Sequence, residues 1–135
     1  YRYAENNVLY PFGYGLTYGN ILCTSVEYKD NTAFVTAENK GNISCEDVIE
    51  LYTKDYSEYA VRNVSLCGFE RIKLEAGESI TVKIPVSERA FTAVGENGER
   101  KRYGDRFTLY AGTHQPDEIS SRLCGNDCVY TEIKF

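Results

Sequence analysis

Apolar residues recur with a period of two along most of the chain. In "SITVKIPV", Ile80, Val82, Ile84 and Val86 fall on one side and Ser79, Thr81, Lys83 and Pro85 on the other, the pattern of a strand with one buried face. Pro85, in the polar register, marks an edge or a strand end because it cannot donate to a ladder. "RFTLYAG" repeats the pattern with Phe107, Leu109 and Ala111, and "TAFVTAEN" with Ala33, Val35 and Ala37. "DVIELYTK" buries Ile49 and Leu51 and leaves Tyr52 facing outward. "SVEYK", the apolar positions of "VSLCGFERIKL" and the alternating tail "VYTEIKF" supply further strands. Between them fall "KDN", "NKGN", "EAGE", "ENGE" and "YGD", clusters of Gly, Asn and Asp suited to tight reversals. No segment sustains a period of 3.6 for the length of a helix, and "SERAF" makes one short turn at most. The pattern predicts an all-β chain, an antiparallel β-sandwich of about seven strands.

One stretch fits no period. "LYPFGYGLTYGN", residues 9–20, carries four aromatic rings and three glycines and no charge. It is too apolar for an ordinary surface loop and too rich in glycine for a core strand. Residues 1–20 therefore read as a lead-in, and 21–135 as the sandwich.

Composition narrows the partners. The chain has 135 residues, 15 basic and 20 acidic, with a formal charge of -5. That balance gives no basic footprint for nucleic acid or for an anionic membrane surface. Apolar runs stay far below the roughly 20 residues of a spanning helix, so no membrane partner is expected. The opening "YRYAENN" lacks the charged and apolar regions of a signal peptide, and without any Met the chain reads as a piece of a longer polypeptide. Five cysteines, Cys23, Cys45, Cys67, Cys124 and Cys128, are an odd number and suit a reducing compartment, for which the expectation is bacterial cytoplasm. The sequons at Asn42 and Asn63 keep secretion as the alternative.

Reactive constellations are scarce. His114 is the single histidine, and "AGTHQPDE" reads as a solvated loop rather than the base of a nucleophilic site. "CGNDC" brings Cys124 and Cys128 close, which leaves a metal site, a local disulfide and a plain loop all open; a structural zinc wants four ligands and a second pair is missing. The sequence thus assigns no metal and no cofactor. The acidic pairs Glu46/Asp47, Glu75/Glu78 and Asp117/Glu118 sit at turns and read as solubilising. Twelve tyrosines without a tryptophan offer candidate sugar-stacking rings, Tyr52, Tyr56 and Tyr59 first, then Tyr103 and Tyr110.

The order of motifs carries more. "YRYAENNVLYPFGYGLTY", "VTAENKGNISCEDVIELYTKD", "LCGFERIKLEAGESITVKIPV" and "RFTLYAGT", in this sequence and spacing, resemble the C-terminal fibronectin type III-like domain of family 3 glycoside hydrolases, the β-glucosidase and β-xylosidase family. The series Gly68, Phe69, Arg71, Leu74, Ala76, Gly77, Glu78, Ser79, Thr81 and Val82 is its most specific part together with "YPFGYGL". Two departures stand out: Cys67 replaces a usual lysine, and "RKRYGDRF" lacks the usual tryptophan and Pro-Gly turn. The resemblance implies a non-catalytic accessory domain, since the nucleophile and the acid/base residue of such enzymes lie on upstream domains. Asp55 in "KDY" then shapes a turn, and no catalytic residue is carried over. The implied partners are the upstream catalytic domains of the same polypeptide, docked through Tyr10, Pro11, Phe12, Tyr14, Leu16 and Tyr18, and a homo-oligomer formed through the sandwich. An autonomous carbohydrate- or protein-binding module is the other reading.

Overall fold

A computed structural model of the chain describes residues 21–60, 64–116 and 128–135. The lead-in positions Tyr10, Pro11, Phe12, Tyr14, Leu16 and Tyr18, with Asn63, Asp117, Glu118 and Cys124, lie outside the described residues.

Two antiparallel sheets face one another. The first is built from β1 (Ile21–Lys29), β2 (Thr32–Asn39) and β5 (Ser79–Pro85), in the order β1-β2-β5. The second holds β3 (Cys45–Asp55), β4 (Ser65–Leu74), β8 (Arg106–Gly112) and β9 (Val129–Lys134), in the order β4-β3-β8-β9. A small hairpin, β6 (Ala93–Val94) with β7 (Arg100–Lys101), stands between β5 and β8 in the chain. In the immunoglobulin constant arrangement the fourth strand joins the first sheet; here β4 pairs with β3.

The alternation seen in the sequence becomes the core. Ala33, Val35 and Ala37 of β2 face Ile49 and Leu51 of β3, Ile72 and Leu74 of β4, and Phe107, Leu109 and Ala111 of β8. Bulges keep the faces in phase. One between Cys23 and Ser25 returns both Cys23 and Val26 to the inside of β1. Turn chemistry closes the hairpins: Asp30 and Asn31 take φ of 52° and 60°, the left-handed pair that a two-residue β1–β2 connection requires. Past β5, the Arg89 amide donates to Ser87 Oγ at 3.2 Å, capping one turn of 3-10 helix (Glu88–Phe91) that drives Phe91 into the end of the core.

Four expectations need correction. Asp47, read as a solubilising turn residue, lies half-buried at an inward position within β3. Ile84 and Val86 are buried, but Ile80, near the start of the edge strand β5, is 40% exposed. Tyr52 occupies the outward register opposite Leu66 and Tyr110, yet it is only 3% exposed, and its hydroxyl donates to Glu50 Oε2 at 2.6 Å. His114 is buried rather than solvated.

Candidate functional site

Loops cluster at the two ends of the sandwich. Where β3 ends and β4 begins, an open cleft of about 510 Å³ is lined by Thr53, Asp55, Tyr59, Cys67, Ser87 and Arg89, among others. Its carboxylate is already committed: Asp55 Oδ1 accepts the Ser57 amide at 2.7 Å and Oδ2 accepts the Ser57 hydroxyl at 2.9 Å. Asp55 therefore closes a turn, an Asx-type capture of backbone two residues on.

The candidate stacking rings do not form one platform. Tyr56 is 48% exposed, but the Arg106 guanidinium lies 4.5 Å from its ring centroid, and its hydroxyl meets Thr108 Oγ1 at 3.0 Å. Tyr59 packs on Tyr103 with centroids 4.5 Å apart. Tyr52 is the buried ring already described. Burial, followed by the neighbouring Tyr56 hydroxyl, pushes the Tyr110 phenol above its ordinary 10.0.

At the opposite end, chain reversal brings His114 and Cys128 together. Cys128 Sγ donates to the His114 carbonyl at 3.2 Å and lies 3.7 Å from Nδ1. His114 Nδ1 is 2.9 Å from the Gln115 carbonyl, which can only accept, so this nitrogen carries the proton. A thiol that donates to a carbonyl, beside a ring nitrogen that is itself a donor, is a packed pair and not an activated nucleophile. Burial pushes the Cys23 thiol up to about 12, with the Asp47 carboxylate adding to it, and burial pushes Cys67 to about 12 as well. Both stay protonated at neutral pH. Among the described residues there is no group of three His, Cys, Asp or Glu side chains placed to hold a metal ion.

Sequence reasoning missed Asn39. Its Nδ2 donates to the Ile43 carbonyl at 2.8 Å and to the Leu74 carbonyl at 3.1 Å, while Oδ1 accepts the Gly41 amide at 2.9 Å. Its backbone holds the other neighbour, donating to Glu78 O and accepting from the Gly77 amide, both at 2.9 Å. One fully buried amide thus fixes the 40–44 loop and the β4–β5 turn together. A signal was present: Asn39 follows Ala33, Val35 and Ala37 at the same parity, which places a polar side chain inside.

Asp47 is another polar residue at inner parity, two before Ile49. Burial raises its pKa from 3.8, and Glu50 adds to this, while the Val48 amide and His114 work against it. A carboxyl whose folded value is raised contributes stability that is full below the unfolded value and lost as pH rises through the folded one. Asp47→Asn keeps the acceptor for Val48 and cannot ionise. It is expected to raise Tm at pH 7, with the gain vanishing near pH 3, as thermal melts at both values will read.

These features define a fibronectin type III-like β-sandwich with structured loops at each end. The profile of the fibronectin type III-like domain matches residues 47–115, just over half of the chain. A periplasmic β-glucosidase of Salmonella typhimurium is 31% identical over 82% of this chain and 16% of its own length. An exo-α-(1→6)-L-arabinopyranosidase of Bifidobacterium breve is 35% identical over 87% of this chain and 17% of its own. The crystal structure of a GH3 β-glucosidase from Bifidobacterium adolescentis superposes with a TM-score of 0.72 at 28% identity, covering 93% of this chain and 18% of the other. The chain belongs to the fibronectin type III-like domain family, in the form carried by family 3 glycoside hydrolases. It spans less than a fifth of the length of these relatives.

Proposed function

We infer that this chain is the non-catalytic accessory domain of a family 3 glycoside hydrolase acting on β-glucosides or β-xylosides. It stabilises the catalytic domains and offers an end loop to the rim of the substrate cleft. One observation carries this reading: similarity runs over 82% to 93% of the chain but only 16% to 18% of the enzymes it matches. The catalytic carboxylates of such an enzyme then sit on the remaining polypeptide, joined through residues 1–20. The end loops suit the second role, since a sandwich projects them from a fixed body. The carbohydrate-module reading finds less support, because Tyr52 is buried and the rings of Tyr56 and Tyr59 already have partners.

The test is hydrolysis of an aryl β-glucoside and an aryl β-xyloside by the full-length polypeptide and by the 135-residue chain alone. The former is expected to cleave at least one, and the latter neither. Turnover by the short chain above about 1% of the full-length rate, roughly 3 kcal/mol of barrier, overturns the reading.

A further inference from the structure

The two outer faces of the sandwich differ in kind. On the three-stranded sheet the outward positions are mostly polar, Leu22 and Phe34 excepted: Thr36 and Thr81 hydroxyls bond at 2.9 Å, Glu27 and Lys29 project from β1, and the one ring, Phe34, has the Lys83 ammonium 5.8 Å from its centroid. On the four-stranded sheet a single register row runs Leu66, Tyr52, Tyr110, Tyr130 across all four strands. Phe69 stands beside it, opposite Glu50. Leu66 and Phe69 are three residues apart and would face opposite ways in a regular strand. The bulge opposite Leu51/Tyr52 places an extra residue between them, so both point outward.

This face is open. Phe69 and Tyr130 are each 66% exposed, and Leu66 is 47% exposed. With Tyr56 at the margin, these side chains present on the order of 400 Å² of ring and aliphatic surface, at the upper range of what a monomer shows without a partner.

We propose that the outer face of the four-stranded sheet, centred on Phe69 and Tyr130, is the surface that docks against the upstream catalytic body of the same polypeptide. The inference rests on the accessory-domain reading and gives it an address on the molecule. More than four fifths of the relatives' length lies outside this chain. The covalent link enters β1 at Ile21, and β1 packs along β9, the strand that carries Tyr130. A body tethered there meets this face at an effective concentration of about millimolar, so even a modest interface stays closed. Glu50 lies opposite Phe69 and accepts the Tyr52 hydroxyl, so the apolar surface of Leu66, Phe69 and Tyr130 is bordered by a polar group, the composition of a protein interface with an apolar core and a polar rim. The matching surface is therefore a protein surface rich in apolar side chains.

Hydroxyl-radical footprinting of the full-length enzyme, at a concentration where it is monodisperse, tests this. Phe69 and Tyr130 are expected to be modified about tenfold more slowly than in the same polypeptide unfolded in guanidinium, close to the protection of buried Phe107; a free face at the exposure seen here slows labelling less than about threefold. Three results overturn the proposal: free-face rates, protection that disappears on dilution as a second copy leaves, and protection that appears only with cello- or xylo-oligosaccharide. If instead Phe34 and the β1–β2 face are the protected ones, the accessory reading stands and this address for it falls. If no outer position of the domain is protected, both fall. Phe69→Glu combined with Tyr130→Glu provides a second reading, as proteolysis within residues 1–20 of the full-length enzyme is expected to accelerate about tenfold once docking is lost.

Discussion

Phe107→Ala lowers the stability of the domain by about 3 to 5 kcal/mol. Phe107 is fully buried on the inner face of β8, where it pairs in register with Asp55 on one side and Ile133 on the other. Its ring meets Phe91 at 5.1 Å and 70° and Phe135 at 5.6 Å and 83°, both edge-on. Phe91 in turn meets Tyr28 at 5.4 Å and Phe135 at 5.1 Å. Truncation removes the transfer free energy of the ring, leaves a cavity that two rigid sheets cannot collapse around, and breaks two aromatic pairs worth about 0.5 to 1.5 kcal/mol each beyond burial. Because a domain of this size holds only about 5 to 15 kcal/mol in all, the change consumes a large share of it. Urea unfolding is expected to show a lower midpoint with an unchanged m-value. A loss below about 1 kcal/mol would mean that this ring cluster is not the centre of the core.

Asn39→Ala follows with a loss of about 3 kcal/mol, from a residue that contributes almost no apolar area. The substitution strips the Ile43 and Leu74 carbonyls and the Gly41 amide of their partner in one step, and a buried group left unsatisfied costs about 1 to 3 kcal/mol. Asn39→Asp distinguishes hydrogen bonding from shape. At neutral pH it points a carboxylate at two carbonyl oxygens, so it is expected to be at least as damaging as alanine. Part of the loss returns on acidification, when the protonated acid can donate once. Hydrogen exchange reads the local effect: the Gly41 amide, bonded to the Asn39 side chain, should lose protection, while the Gly77 amide, bonded to the Asn39 backbone carbonyl, should keep most of it. If Asn39→Asp were as stable as wild type at pH 7, the donors would be facing something other than these carbonyls.

How far the sequence carried the fold is clearest at particular residues. Period two placed Val35, Ile49, Leu51, Ile84 and Leu109 inside, because a strand's side chains alternate whatever lies opposite. Turn clusters marked the reversals where Asp30, Asn31, Gly77 and Gly98 take positive φ. The misses share a different cause. Burial of Tyr52 and His114 and exposure of Ile80 depend on what another part of the chain brings over them, and no local pattern encodes that. The outward pair Leu66 and Phe69 required knowing where β4 bulges, a property of its pairing with β3 and not of "SLCGF" alone. For the candidate site the balance is similar. The turn role of Asp55 followed from the family resemblance, and the polar anchor Asn39 was implied by parity. Its three partners, drawn from the 40–44 loop and the distant end of β4, were not.

The surplus residue in β4 also bears on how the chain can change length. Cys67 is the position with no counterpart on β3, lying between Leu66, which faces Tyr52, and Gly68, which faces Leu51. Dropping it would straighten the strand and leave every other residue on the side it already occupies, whereas losing a residue beyond the bulge, such as Glu70, would turn part of the strand inside out. Descendants of this gene can therefore shorten here by one codon while retaining the same interior and the same exterior.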